Sequence, residues 1–227
     1  MKRFLFSICF VFCSIAVLFT ACGKMMNGNG EGTIEYEAEI LNKDHPMAFV
    51  APSKMNFQFK NSICKGELSA AMGMFTTVII SDPEKRNVTQ LVRLVHTKIA
   101  HVFPEQDMKT QNEKIYPAFK IEKTDETKEI AGYKCKKAKI VFDGGKHENF
   151  DVYYTTDIKI KDPNWSSPFH EIEGVLMEYQ MLKYGMELRF TAKSIDEKPV
   201  KKTSFDVPKD YKMVPEKEID ALFKSFE

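Results

Sequence analysis

Hydrophobic and polar side chains alternate along most of the chain from residue 33 to residue 207. The clearest stretch is residues 33–40, in which Ile34, Tyr36, Ala38 and Ile40 alternate with glutamates. Successive side chains of a β-strand point to opposite faces of the sheet, so this pattern is typical of a strand with one buried and one solvated face. The alternation predicts a protein built mainly from half-buried β-strands.

Further strands follow at the spacing of hairpins. Residues 66–81 are interpreted as one strand with Met72, Met74, Thr76, Val78 and Ile80 on one face. Residues 88–102 fit either one bent strand or two shorter ones, and the other predicted strands are residues 55–60, 134–142, 150–155, 175–182, 186–195 and 205–207. Nine or ten such strands predict an antiparallel sheet that is curved or closed, because a flat sheet of that width leaves one face in water.

Helical periodicity is confined to short segments. Residues 216–226 carry apolar side chains at helical spacing after Pro215, with Glu216 and Glu218 in the first turn. Residues 106–114 are polar throughout and fit a surface excursion or a short helix. We find no internal repeat and no interior linker, so residues 33–227 are predicted to form a single all-β domain with a C-terminal helix.

The N-terminal residues predict export and attachment to a membrane. Lys2 and Arg3 precede an apolar stretch, as in a signal peptide. Residues 18–23 (LFTACG) resemble the lipobox of bacterial lipoproteins, which implies cleavage after residue 21 and lipidation of Cys22. Residues 1–21 are thus interpreted as a lipoprotein signal peptide and residues 22–32 as the lipid anchor and a flexible tether. An uncleaved anchor and ordinary secretion are the alternatives.

The charge balance narrows the class of partners. The 227 residues contain 33 Lys and Arg against 32 Asp and Glu, and 43% of them are hydrophobic. This near-neutral composition is typical of a globular protein and argues against a nucleic-acid partner, which bulk positive charge would attract. By the lipobox resemblance, the predicted partner is a membrane reached through the N-terminal lipid. The implied location is the outer membrane, with the periplasmic side favoured.

Motifs of catalytic and metal sites are missing from the sequence. His96 and His101 would lie on opposite faces of a strand, too far apart for one metal ion. Neither a nucleophile elbow nor a phosphate-binding loop occurs. We therefore predict no enzymatic activity, no metal site and no cofactor.

Two features are candidates for binding. Residues 162–170 form a turn-rich loop that either presents Trp165, the only tryptophan, to a partner or is pinned under its own domain. The other feature is a set of methionine and aromatic residues on the sheet, which fit either an apolar ligand or plain core packing. These residues are Met55, Phe57, Phe59, Met72, Met74, Met177, Tyr179, Met181, Leu188 and Phe190.

Two cysteines remain in the predicted β domain. An exported chain can keep a disulfide, and Cys64 and Cys135 allow only one. The alternative is that they are two separate buried thiols that pack as small hydrophobic side chains.

Three sequence blocks resemble a known family. Residues 127–138 (TKEIAGYKCKKA), 152–158 (VYYTTDI) and 172–178 (IEGVLME) are similar, in this order, to blocks of the GLPGLI-type and related envelope lipoproteins of Bacteroidetes. The resemblance implies a LolA-like fold, a half-open antiparallel barrel lidded by helix. It implies a lipid-anchored envelope protein that binds an acyl chain, another apolar ligand or an envelope partner without catalysis. The alternative function is a structural or interaction lipoprotein with a filled barrel.

Overall fold

The computed structural model describes residues 30–46, 48–70, 73–145, 147–183 and 185–224. The predicted signal peptide, Cys22 and nearly all of the tether lie outside these residues, and so does Met72. Within the described ranges, no helix has the length and apolar character needed to cross a membrane.

Twelve strands and two α-helices make up the regular structure of the described chain. The strands are β1 (Glu31–Ile40), β2 (Lys54–Lys60), β3 (Ile63–Ala70), β4 (Phe75–Asp82), β5 (Asn87–Leu94), β6 (Thr97–Pro104), β7 (Phe119–Ile130), β8 (Tyr133–Phe142), β9 (Phe150–Thr155), β10 (Val175–Lys183), β11 (Met186–Asp196) and β12 (Lys212–Met213). The helices are α1 (Glu105–Ile115) and α2 (Glu216–Lys224).

All twelve strands belong to one open sheet in the order β12-β6-β5-β4-β3-β2-β1-β11-β10-β9-β8-β7. Neighbouring strands run antiparallel, except that β12 pairs with β6 in parallel. The predicted fold class is confirmed in its curved-sheet form: an all-β protein with a C-terminal helix. The sheet is not closed into a barrel, because β7 and β12 are free edges of the order.

The inner face of the sheet forms the main hydrophobic core. Ile34 and Phe59 come from the middle of the strand order and Cys135 and Val152 from strands near one edge, yet all four are buried in the same cluster. Strands so far apart in the order share a core only if the sheet curves over itself. This curvature matches the alternation in strands such as β1 and β11, which bury every second side chain along most of their length.

Helix α2 closes this core from one side. Its Ile219 and Phe223 are almost fully buried, and the ring of Phe223 meets that of Phe75 edge to face at 5.8 Å between centroids. The helix was predicted to span residues 216–226, and the structure has it from Glu216 to Lys224, with residues 225–227 outside the described part.

The outer face of β4 to β6 is covered by the chain that follows β11. Val78, Ile80 and Leu91 form a second, smaller core with Val200 and Phe205. Residues 205–207 were predicted as an edge strand, but Phe205 ends a short 3-10 helix, and the parallel edge strand is β12 instead.

The prediction of one strand over residues 66–81 is wrong. Strand β3 ends at Ala70 and β4 begins at Phe75, and Met74 lies in the turn between them with 53% of its surface exposed. The apolar run hides this turn, because Gly73, at a left-handed φ of 84°, is its only strong turn signal. Residues 88–102 form two strands, with a turn at Val95 and His96.

Cys64 and Cys135 are both free thiols, so the structure has no disulfide between them. Each is buried and donates a hydrogen bond to a nearby backbone carbonyl oxygen, Cys64 to Ser62 and Cys135 to Tyr133. They therefore pack as small side chains of the core.

Truncation of α2's buried ring tests whether the helix belongs to the cooperative core. We expect Phe223→Ala to lower the free energy of unfolding by about 3–5 kcal/mol, because it opens a cavity in a packed interior. Lys217→Ala, on the exposed side of the same helix, is the control and should change it by less than about 0.5 kcal/mol. Urea denaturation measures both, and equal stabilities would show that α2 does not pack as described.

The buried thiols make the fold sensitive to alkali. Burial raises the pKa of Cys64 and of Cys135 from 9.0 to about 12. Between these values the unfolded chain releases thiol protons that the folded chain keeps, so the contribution of the thiols to the free energy of unfolding is fully present below pH 9 and is lost as pH rises from 9 to 12. Urea denaturation between pH 9 and 12 should show a smaller decrease in the free energy of unfolding for the Cys64→Ala/Cys135→Ala variant than for the unmodified protein. The same decrease in both proteins would contradict the raised pKa values of the two thiols.

Candidate functional site

Two cavities inside the curved sheet contain part of the predicted apolar lining. Met55, Phe57 and Tyr179 line a cavity of about 180 Å³, Leu188 lines one of about 210 Å³, and Met181 and Phe190 border both. Each cavity is below the roughly 300 Å³ at which ligand pockets usually begin. The volumes favour core packing with small voids over a ligand site.

The other predicted lining residues lie elsewhere. Phe59 and Met177 are fully buried in the core, whereas Met74 is exposed in a turn. Met72 lies outside the described residues. The ten residues predicted from the alternation are therefore not one continuous surface.

A larger and more polar groove lies where α1, β7 and the loop after β9 meet. Its cavity volume is about 820 Å³, within the range of small-molecule sites. We call it the α1–β7 groove. It is lined by Arg86, Glu105, Met108, Lys109, Asn112, Glu113, residues 116–121, Asp162, residues 165–168, His170 and Glu171.

Helix α1 forms one wall of the groove. Glu105 and Asp107 in its first turn and Lys114 in its last complement the helix dipole, but none of its residues is buried. Contacts with other segments hold it in place. Asn112 donates through Nδ2 to the backbone oxygen of Ser166 at 3.0 Å, and Gln111 donates through Nε2 to Glu216 at 2.6 Å. The first contact ties α1 directly to the opposite wall.

The opposite wall is the loop of residues 162–171, which an aromatic anchor fixes to the core. Phe169 is fully buried and its ring lies 5.9 Å from that of Tyr116 and 6.1 Å from that of Phe119. Asn164 is also buried and donates through Nδ2 to the backbone oxygens of Ile172 at 2.7 Å and Gly174 at 2.8 Å. The anchors leave the intervening residues to border the groove.

Trp165 is the large aromatic side chain of this wall. It is half-buried, and the guanidinium of Arg86 lies over its ring at 5.0 Å from the centroid. Phe169 pins the loop under its own domain, as one of the two alternatives predicted, while Trp165 lines the groove. Presentation of Trp165 to a partner stays a prediction.

Charges in the groove are mixed and nearly balanced. The acidic residues Glu105, Glu113, Asp162 and Glu171 and the basic residues Arg86, Lys109 and Lys120 all line it. Burial raises the pKa of Tyr116 at its base to about 12, so this phenol stays neutral, and its oxygen accepts a hydrogen bond from the backbone N–H of Leu182 at 2.8 Å. Such a surface suits a neutral ligand rich in hydroxyl groups, which both donate and accept hydrogen bonds.

Metal ligands do not converge in the described part of the chain. No group of three or more His, Cys, Asp or Glu side chains there is placed to hold an ion. His101, one of the histidines considered from the sequence, has its Nδ1 2.7 Å from the backbone oxygen of Val214.

The sequence singled out the loop with Trp165 and allowed a short helix at residues 106–114, where the structure has α1, but nothing in it indicated that the two form one groove. Residues 119–130 were not predicted as a strand because most of their side chains are charged or polar and exposed. Arg86 was not singled out either. Its contact with Trp165 joins positions 79 residues apart, and no local pattern signals such a contact.

Comparisons with known proteins point to one group. Residues 74–168 match a family model described as "N-glycanase peptide, N-terminal domain" of PNGase F-II. The fold resembles the solved structure of PNGF-II, with a TM-score of 0.53 and 16% identity over 86% of this chain. At this identity the likeness is one of fold, and this chain covers 33% of the length of PNGF-II. A search of curated proteins returned no match.

These findings correct the resemblance to GLPGLI-type and LolA-like lipoproteins. The family model that matches is that of the PNGase F-II N-terminal domain, and the structural neighbour is PNGF-II; neither is a GLPGLI-type or LolA-like protein. The glycines in the sequence blocks that carried this resemblance are required by the backbone conformation, and antiparallel sheets of other families have the same requirement. Gly132 has a φ of 83° in the β7–β8 turn, and at Gly174, with a φ of 108°, a side chain would lie 2.4 Å from the backbone oxygen of Thr155.

The functional interpretation drawn from that resemblance is corrected with it. A lipid-anchored envelope protein that binds an apolar ligand, and its alternative of a structural lipoprotein, are both at odds with a match to an N-glycanase domain. The prediction that the chain is not an enzyme also conflicts with the printed name of this relative. The match to an N-terminal domain does not by itself assign catalysis to this part.

The buried amide of Asn164 gives a test of how the groove wall is built. We expect Asn164→Ala to lower the free energy of unfolding by about 1–3 kcal/mol, because two backbone oxygens lose their buried donor. Amide hydrogen exchange in residues 162–172 should also accelerate. Asn149→Ala, which removes a part-buried acceptor beyond the groove, is the control for loss of an Asn hydrogen bond and should leave exchange in this loop unchanged. Protection equal to the unmodified chain would contradict the anchoring role.

Proposed function

We propose that the α1–β7 groove binds the oligosaccharide of N-glycosylated proteins. The observation that carries this proposal is the position of the groove within the family match. Helix α1, residues 116–121 and Trp165 all fall inside residues 74–168, the part similar to an N-glycanase N-terminal domain. His170 and Glu171 lie just beyond that match and complete the same wall.

The chemistry of the lining supports a sugar as the ligand. One side of a sugar ring presents apolar C–H groups, and these pack well on a flat indole such as that of Trp165. The hydroxyl groups around the ring need donors and acceptors, which Asp162, Lys109 and Glu113 supply at the groove surface. The balance of charge favours a neutral oligosaccharide, since no excess of one sign is present to bind an ionic group.

Glycan release is a second candidate function. Asp162, His170 and Glu171 lie on one loop at the groove, and carboxylate and imidazole groups are the usual proton donors and acceptors in hydrolysis. Incubation with an N-glycosylated peptide followed by mass spectrometry separates the two functions. Loss of the glycan mass supports release, and an intact glycopeptide with measurable affinity supports binding alone.

Replacement of the groove's tryptophan tests the binding proposal. We expect Trp165→Ala to raise the Kd for an N-linked oligosaccharide roughly tenfold, because the stacking surface contributes about 1.4 kcal/mol. Trp165→Phe should retain part of the affinity. Phe49→Ala removes an aromatic ring that is 85% exposed in the loop between β1 and β2, at the other end of the sheet, and is the control. Isothermal titration calorimetry measures all four proteins, and equal Kd values would refute the role of the groove.

A further inference from the structure

Three segments that are distant in the chain meet at the side chain of Arg86. Its guanidinium lies over the ring of Trp165, and its Nε donates to Oε2 of Glu105 at 2.9 Å. A second nitrogen, Nη2, pairs with the other carboxylate oxygen of Glu105, so the contact is bidentate. The turn before β5, the first residue of α1 and the loop after β9 are thereby joined.

The backbone supports the same junction. The N–H of Glu105 donates to the backbone oxygen of Arg86 at 3.1 Å, which fixes the turn against the start of α1. Arg86 and Asp162 both adopt left-handed backbone conformations, with φ values of 52° and 51°. An aspartate tolerates this conformation, whereas an arginine rarely adopts it outside a turn, and Arg86 lies in the turn between β4 and β5. Both positions border the α1–β7 groove.

The electrostatic surroundings keep the guanidinium charged and oriented. Hydrogen bonding to Glu105 raises the pKa of Arg86, and the nearby carboxylate of Asp162 adds to the increase. The cation thus has one carboxylate on α1 and another on the loop that carries Trp165. The flat face of the guanidinium remains available to stack on the indole. The ammonium group of a lysine has no such flat face.

Apart from the stacked guanidinium, hydrogen bonding does little to hold the indole in place. Its Nε1 is buried and has no hydrogen-bond partner among the residues that the structure describes. The ring is therefore held by packing and by the stacked guanidinium rather than by a hydrogen bond from its own nitrogen.

We infer that Arg86 is a positioning residue of the α1–β7 groove: it holds the Trp165 ring in the orientation that a ligand meets, and Glu105 holds Arg86. The consequence for sugar affinity rests on the proposed function. The placement of the ring does not, because it can be measured without any ligand.

The experiment uses Trp165 as its own reporter, since it is the only tryptophan in the chain. We expect Arg86→Ala to increase the acrylamide quenching constant of the tryptophan fluorescence about twofold, because the ring loses its cover. Arg86→Lys keeps the charge without the flat fork and should resemble Arg86→Ala. Glu105→Gln, which weakens the bidentate contact, should lie between them and the unmodified protein. Arg189→Ala is the matched control, since Arg189 pairs with Glu39 on the sheet at 3.6 Å.

Salt gives a readout that simple loss of packing would not move. Raising the NaCl concentration screens an exposed ion pair, so quenching in the unmodified protein should increase with salt. In Arg86→Ala the pair is gone, and this dependence should disappear. An oligosaccharide titration of the same proteins should show a Kd about three- to tenfold higher for Arg86→Ala than for Arg189→Ala.

The outcomes separate the two proposals. Quenching that is the same in Arg86→Ala as in the unmodified protein overturns the positioning role, whatever the Kd. Increased quenching with no oligosaccharide binding by any of the proteins upholds the positioning of Trp165 and overturns the proposed function. If Arg86→Ala does not fold, Arg86→Lys and Glu105→Gln decide the question, and unchanged quenching in both counts against the inference.

Discussion

Burial of the inner face of one continuous sheet is the constraint on which the rest of this molecule depends. The strand order is unbroken from β12 to β7, so most strands have their backbone groups paired on both sides. A sheet of this width can shelter its apolar side only by curving, and the core that results draws on strands from the middle and from near both edges of the order. The two small cavities between them are what this curvature leaves unfilled.

The same core positions the polar groove at its margin. Phe169 and Tyr116 are buried members of the main core, and each lies next in the chain to segments that border the groove. Anchoring a loop by an apolar residue lets the neighbouring polar residues stay at the surface in a fixed place. This division of roles explains why the groove can be built from a helix without buried residues and a turn-rich loop, which contacts such as that of Asn112 with Ser166 join to each other.

The features of the fold that could be predicted from the sequence are those that residues close together in the chain specify. The alternation in β1 and the helical spacing of Ile219 and Phe223 were sufficient for the fold class and the C-terminal helix. Strand β7 was missed because alternation is confined to its first residues, and most of the rest of this edge strand is charged or polar and exposed. The predicted apolar lining separated into cavity walls, core and an exposed turn at Met74, because alternation does not distinguish the inside of a curved sheet from its outer face.

The sequence by itself determined that this is a β protein with one C-terminal helix, because the period of a strand or a helix is carried by neighbouring residues. It also drew attention to the loop with Trp165. Only the tertiary structure decided what that loop faces. Arg86, Glu105 and Trp165 come together through the pairing of β4 with β5 and of β5 with β6 and through the anchoring of Phe169. Contacts of this kind join residues that are distant in the chain, and they depend on how the strands assemble and how the sheet curves, which the pattern within a single segment does not specify.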